Sequence, residues 1–214
     1  MSTTTPPSAT PPSATFPSVA PPSVTLPSVT LPSGEVFTAV FPVHGTDTAP
    51  AAAVPTMTAV AARFGGRLPA AVGRLATSPE LLSGFLTLTA IFDTSTLPAV
   101  DREIVIMTVA TRNGCDLCVA MHTATLRGLH APAELIDALR TETAVADPRH
   151  AALQRFTHTV MDTAGEVPAE DLTAFLAAGY TARNALDVVL GIGTYTMSTF
   201  ANRLVRSHAE SSVG

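Results

Sequence analysis

The sequence predicts an all-α protein preceded by a proline-rich segment that takes no part in the core. Helix-start signals recur along residues 56–208, and the segments that follow them have the apolar spacing of helices. No run alternates polar and apolar residues as a strand does, and no hairpin dipeptide separates two apolar runs. These observations together exclude a sheet as the organising element.

The first 35 residues are of low complexity. Residues 6–35 repeat a five-residue unit, in the order PPSAT, PPSAT, FPSVA, PPSVT, LPSVT, LPSGE. Proline at this density prevents helices and central strands, and the unit has too little apolar mass to form a core. We expect residues 1–35 to be a disordered or polyproline-like tail, with a docking segment for a proline-binding partner as the alternative. We expect residues 36–55 to form an extended arm and residues 56–208 to form the all-α domain.

The helices are predicted from their start and stop signals. Ser78, Pro79 and Glu80 combine a capping serine, a proline at the first helical position and an acid in the first turn, which predicts a helix over 79–92. Pro98 begins the next helix, and Asn113-Gly114 ends it. Further helices are expected from Cys115 to Gly128, over 132–142, 148–164 and 168–178, and from Thr181 to Arg206.

Composition narrows the classes of function. All 12 basic residues are arginine, which excludes a Schiff-base lysine, pyridoxal-phosphate chemistry and a phosphate-binding P-loop. The net charge of −5 argues against nucleic acid and anionic membrane surfaces as partners, and no apolar run is long enough to span a membrane. The N-terminus has neither the basic region nor the apolar region of a signal peptide, so we expect a cytoplasmic protein. Because apolar residues make up 46% of the chain and charged residues 14%, we also expect a homo-oligomer that buries apolar surface between subunits.

The two cysteines lie in a pattern that suits redox chemistry. Cys115 and Cys118 are at i and i+3 of a predicted helix, within reach of each other for a disulfide, and His122 lies four residues after Cys118. Glu103 lies 11 residues before Gly114 and His122 lies 8 after it. If the two helices pack as an antiparallel hairpin, the positions of Glu103 and His122 along it differ by roughly 5 Å, at a rise of 1.5 Å per residue. The carboxylate can then hold the imidazole.

This arrangement predicts an activated thiol. A helix start favours a thiolate at Cys115, and His122 is a base one turn from Cys118. Attack of a thiolate on a peroxide gives a sulfenic acid, which a second cysteine converts to a disulfide that an external dithiol must reduce. The pair could instead be a structural crosslink, or could bind zinc together with His122 and Glu103, which would complete a tetrahedral ligand set.

The run E-x11-C-x-x-C-x3-H, from Glu103 to His122, resembles the alkylhydroperoxidase D-like branch of the carboxymuconolactone decarboxylase superfamily. Residues 78–82, 126–129 and 185–191 also resemble landmarks of this family. The resemblance implies an all-α fold, homo-oligomers, Cys118 as the thiol that attacks peroxide, Cys115 as the resolving thiol, and His122 with Glu103 as the proton relay. Some members carry a histidine between the cysteines, where this chain has Asp116 and Leu117.

We therefore expect a thiol-dependent peroxidase that reduces hydrogen peroxide or organic hydroperoxides. It would need no bound cofactor or metal, and a dithiol or thioredoxin-like protein would serve as its reductant. Two other functions stay open: the lactone decarboxylation for which the superfamily is named, and a redox sensor or thiol-disulfide module without peroxidase turnover. A decarboxylase has no need of two neighbouring thiols, so the cysteine pair favours the peroxidase.

Overall fold

The computed structural model describes residues 33–207, and over that range the chain forms α-helices and no strand. The elements are α1 (Ser33–Val40), a 3-10 turn (Ala51–Ala53), α2 (Val54–Arg63), α3 (Ala70–Leu75), α4 (Pro79–Asp93), α5 (Ala99–Arg112), α6 (Asp116–Gly128), α7 (Ala133–Thr141), α8 (Pro148–Asp162), α9 (Ala169–Ala177) and α10 (Ala182–Leu204). The predicted all-α class is confirmed. No helix in this range has the length and apolar character that a membrane crossing needs.

The helices begin where the sequence signals predict. The Ser78 hydroxyl accepts the Leu81 N–H at 3.3 Å at the start of α4. Asp147 caps α8 in the same way, and Thr181 with Asn184 forms a capping box at the start of α10. These contacts satisfy backbone donors that a helix end would otherwise leave unpaired. Each of the helices predicted from residue 79 onward is present within one or two residues of its expected bounds.

Helix α5 is the axis of the fold. It contacts α6, α7, α8 and α10, and its residues from Glu103 to Ala110 are all buried. Asp101, near its start, is buried as well, with Arg149 Nη2 at 2.8 Å and His150 Nε2 at 3.3 Å, both on α8. A helix enclosed on every side is a rigid support for the functional groups that it carries.

The predicted arm over 36–55 is helical at both ends. Helix α1 continues to Val40, and the 3-10 turn begins at Ala51, so only the residues between them are irregular. No proline lies between Ser33 and Phe41 to interrupt the helix, and the Phe37 ring packs 3.7 Å below the Arg206 guanidinium. That cation–π contact is tertiary and has no local sequence signal. The predicted tail over 1–35 lies outside the described residues, apart from the start of α1.

Gly191 allows α10 to approach α4 and α5 closely. A Cβ atom at this position would lie 2.8 Å from Phe92 Cζ and 3.0 Å from Val105 Cγ1, and both side chains are fully buried. We expect Gly191→Ala to be less stable than Gly193→Ala by about 1–3 kcal/mol, because the packed core cannot yield without strain. Gly193 is the matched control: it lies on the same helix, and an added Cβ there would meet none of the described residues within 4 Å.

Thermal melting of the two variants tests this expectation. Both gain the same helix propensity from the alanine, so the difference between them isolates the clash. The Gly191 variant should melt lower by about 2–4 °C for each kcal/mol in a domain of this size. Equal melting temperatures would mean that α10 can shift away from α5 at no cost.

Candidate active site

The α5–α6 hairpin brings Glu103 and His122 together. The left-handed Gly114, with φ +63°, ends the connection between the helices, and α6 begins at Asp116. His122 Nδ1 lies 2.8 Å from Glu103 Oε2, and both side chains are largely buried. An N–H on Nδ1 donates to the carboxylate, which leaves Nε2 as the nitrogen that can exchange a proton with another group. The juxtaposition predicted from the hairpin heights is confirmed.

Both cysteines lie at the start of α6. Cys115 is the N-cap residue, and its sulfur accepts the Cys118 N–H at 3.4 Å. The two sulfurs are joined as a disulfide, with Cα atoms 5.3 Å apart. Both residues are buried, with exposed fractions of 2% for Cys115 and 4% for Cys118. The helical i, i+3 spacing therefore permits the crosslink that the sequence predicts.

The end of α10 contacts residues 113–118, here called the cysteine loop, from the opposite side. Asn202 donates its side-chain N–H to Cys118 Sγ at 3.6 Å. One turn earlier, the Thr199 hydroxyl accepts from Asn113 Nδ2 at 2.9 Å, and the Arg203 guanidinium donates to the Asn113 carbonyl. These contacts join residues 84 to 90 positions apart in the chain. They fix the cysteine loop relative to α10 without using a cysteine side chain as the main anchor.

Tyr195 packs against the imidazole. Its ring meets the His122 ring edge to face, with centroids 5.4 Å apart, and Phe85 and Phe92 pack around it at 6.0 Å each. Burial, followed by the charge of the nearby Glu103 carboxylate, raises the pKa of the Tyr195 hydroxyl well above its ordinary value. The hydroxyl therefore stays protonated at neutral pH. The ring packs against the imidazole and restricts the orientation of His122.

Helix α3 lies over the cysteines. Ala71 packs against the small apolar cluster that contains Cys115 and Cys118. The segment before α2 supports α3 in turn: His44 N–H donates to the Gly73 carbonyl at 3.3 Å, and Arg74 donates to the Phe41 carbonyl at 2.8 Å. Thiol–disulfide exchange requires a thiolate to approach a sulfur directly. Residues that cover the sulfurs must therefore move before an external thiol can react with either one.

The zinc alternative is tested by how the candidate ligands are arranged. Among residues 33–207, no three His, Cys, Asp or Glu side chains lie together in a way that could hold a metal ion. His122 directs Nδ1 to Glu103 rather than to a position shared with the two sulfurs. The zinc set suggested by the sequence is thus not assembled in this conformation.

Comparison with known proteins identifies the segment that carries this geometry. Residues 79–156 match the model of the carboxymuconolactone decarboxylase family. The match begins at the first residue of α4 and ends within α8, so Glu103, Cys115, Cys118 and His122 all lie inside it. No curated protein matches the sequence significantly.

Solved structures of alkylhydroperoxidase D-like proteins share the fold of this chain. The alkylhydroperoxidase AhpD core of a peroxidase-related protein from Ralstonia eutropha JMP134 is similar at 23% identity and a TM-score of 0.66, over 76% of this chain and 87% of that one. A peroxidase-related protein from Silicibacter sp. TM1040 is similar at 19% identity and a TM-score of 0.64, over 78% of this chain and 87% of that one. The debrominase Bmp8, solved in complex with 2,3,4-tribromopyrrole, is similar at 16% identity and a TM-score of 0.62, over 80% of this chain and 91% of that one. The predicted alkylhydroperoxidase D-like fold is confirmed.

Sequence reasoning missed three parts of this candidate site. Asn202, Tyr195 and the α3 residue Ala71 all lie outside the segment that the family model matches. The sequence indicates no more than a core or subunit contact for Tyr195, and the structure places it against His122. The only local signal for Asn202 is an amide near the end of α10, which does not indicate what the side chain faces.

Proposed function

We propose that this protein is a thiol-dependent peroxidase that reduces hydrogen peroxide or organic hydroperoxides with Cys118 and Cys115. The observation that carries the proposal is the 2.8 Å contact between His122 and Glu103, because His122 also lies one helical turn from Cys118. A histidine oriented by a carboxylate and placed beside a thiol is the arrangement of an activated nucleophile.

In the first step, His122 takes the thiol proton and the Cys118 thiolate attacks the outer oxygen of the peroxide. An S–O bond forms as the O–O bond breaks, and the leaving alkoxide or hydroxide takes the proton back from His122. Cys118 becomes a sulfenic acid and the product is an alcohol or water. Glu103 stabilises the imidazolium that exists between the two proton transfers.

In the second step, the Cys115 thiolate attacks the Cys118 sulfur. The S–S bond forms as the S–O bond of the sulfenic acid breaks, and the hydroxide leaves as water with the proton that the Cys115 thiol has given up. An external dithiol, either a small molecule or a thioredoxin-like protein, then reduces the disulfide to two thiols by exchange and is itself oxidised to a disulfide. No bound cofactor takes part in this cycle. A cytoplasmic location suits it, because that compartment keeps dithiols reduced.

A turnover assay with the purified protein tests the proposal. With dithiothreitol in excess, the protein should consume hydrogen peroxide or tert-butyl hydroperoxide catalytically, with one dithiol oxidised for each peroxide reduced. The double variant Cys115→Ser, Cys118→Ser is the control for direct reaction between dithiol and peroxide. A single oxidation without turnover would favour a redox sensor, and loss of a lactone without peroxide consumption would favour a decarboxylase.

The protein is further proposed to act as a homo-oligomer. Leu186, Val189, Phe200 and Leu204 lie along one side of α10 and expose about half or more of their surface. The last two also border an apolar cavity of about 500 Å³ between α10, α3 and α4. A continuous apolar face of this kind supports association of subunits.

A further inference from the structure

The Asn202 side chain is a polar group in an apolar, closed environment. It is 6% exposed and lies among the residues of α10 that face the cysteine loop. One hydrogen of Nδ2 points to Cys118 Sγ at 3.6 Å, and the other to Ser198 Oγ at 3.4 Å. The amide oxygen Oδ1 is buried, and no residue in the range 33–207 donates a hydrogen bond to it.

A buried acceptor without a donor is unfavourable, and an asparagine inside a helix is also less favourable than alanine or leucine. Stability alone therefore argues for an apolar residue at position 202. Because both hydrogens of Nδ2 are used, the assigned orientation of the amide directs a donor, rather than an acceptor, at the sulfur. The contact with Cys118 is the feature that an apolar residue could not supply.

We propose that Asn202 stabilises the thiolate of Cys118 through its side-chain N–H, an inference that rests on the proposed role of Cys118 as the attacking thiol. In the disulfide the sulfur is neutral and the contact is weak. Reduction places a negative charge on the sulfur, and the same N–H then makes a charge-assisted hydrogen bond, which is stronger. The amide does not titrate, so it supports the thiolate whether His122 is neutral or protonated.

The surroundings of Cys118 make this donor matter. The cysteines pack with Ala71, Ala110, Leu117 and Val119, which cannot stabilise a charge. The titratable pair beside Cys118 is His122 with Glu103. The charged neighbours in the chain are Asp116, next to Cys115, and Arg203, which donates to the Asn113 carbonyl. Burial among apolar groups disfavours a thiolate, so a fixed donor from α10 offsets that effect.

The test measures ionisation of one thiol. In a Cys115→Ser background Cys118 is the only cysteine, and its apparent pKa follows from the thiolate absorbance or from the alkylation rate against pH. We expect Asn202→Leu and Asn202→Ala to raise this pKa by about one unit, since a hydrogen bond to a charged group has that order of effect. Thr194→Val is the matched control, because it removes a hydroxyl of the same helix that donates to the Leu190 carbonyl at 2.8 Å and leaves the sulfur contact intact.

Three outcomes decide the matter. A higher pKa in the Asn202 variants, with the Thr194 variant unchanged, supports the proposal. An unchanged pKa overturns it, and so does a lower one, which would mean that the amide oxygen accepts from the neutral thiol. If both Asn202 variants fail to fold, Ser198→Ala is used instead, because it removes the hydroxyl that accepts the second N–H of the Asn202 amide. This variant should raise the pKa of Cys118 by a smaller amount, and no rise would overturn the proposal. The measurement needs no peroxide turnover, so its failure is separate from failure of the peroxidase assignment.

Discussion

Replacing Cys118 with serine is expected to abolish peroxide turnover, whereas replacing Cys115 is expected to stop the cycle after one oxidation. His122 lies four residues after Cys118 on the same side of α6, and seven after Cys115. Seven residues are roughly 10.5 Å of rise, too far for a direct contact between the base and Cys115. The helix start favours a thiolate at Cys115 by about 0.3–1 kcal/mol. A positioned base contributes a hundredfold or more, about 2.7 kcal/mol, and outweighs it.

Trapping of the sulfenic acid checks this assignment. A dimedone-type probe should label Cys118 in Cys115→Ser after a single addition of peroxide, and should label Cys115 in Cys118→Ser little or not at all. Mass spectrometry of the peptide that contains both positions locates the label. The reverse labelling pattern would make Cys115 the attacking thiol and would leave the His122 contact without a role in the first step.

Loss of the proton relay is expected to have the second-largest effect. His122→Phe keeps a ring against Tyr195 but removes the base, and should lower the rate of peroxide reduction at neutral pH by roughly a hundredfold. Because an ordinary thiol has a pKa near 8.5, the remaining rate should rise with pH as Cys118 ionises without assistance. Glu103→Gln should give a smaller fall, since it keeps a polar partner for Nδ1 but no longer stabilises the imidazolium.

The matched control for Glu103 is Asp101→Asn. Asp101 is another buried carboxylate on α5, but it pairs with Arg149 and His150 of α8 rather than with His122. Its substitution should lower the melting temperature and leave the rate per folded molecule unchanged. Initial rates normalised to the folded fraction separate the two effects. Equal losses of rate in the Asp101 and Glu103 variants would show that the Glu103 effect is one of stability alone.

The parts of the molecule that were predictable from the sequence are those set by local signals. Capping at Ser78, the glycine at position 114 and the i, i+4 spacing of Cys118 and His122 each specify a short-range geometry, and the structure bears them out. The contact between Glu103 and His122 was predictable because one short connection joins the two regular helices that carry them. Spacing alone was enough to place these groups side by side.

The remaining parts depend on contacts between distant residues. Asn202 meets Cys118 across 84 positions, and its role depends on how α10 crosses the α5–α6 hairpin. The helix at 33–40 is supported by a contact of Phe37 with Arg206 near the other end of the chain. Helix α3, only six residues long, has no strong signal of its own and is placed by its neighbours. A crossing angle between helices is a property of complementary surfaces, which periodicity along one segment does not specify.

The spacing of the two cysteines at the start of α6 bears on the choice between catalyst and sensor. Their Cα atoms are 5.3 Å apart, a separation that suits both a helical i, i+3 pair and a disulfide. Oxidation and reduction can therefore alternate with almost no reorganisation of the main chain around the sulfurs. A signalling switch needs two distinguishable shapes, because a partner responds only to a difference in what it binds. We therefore expect the proposed redox cycle to change the helix little and to offer a partner little to discriminate, which favours a catalyst over a sensor.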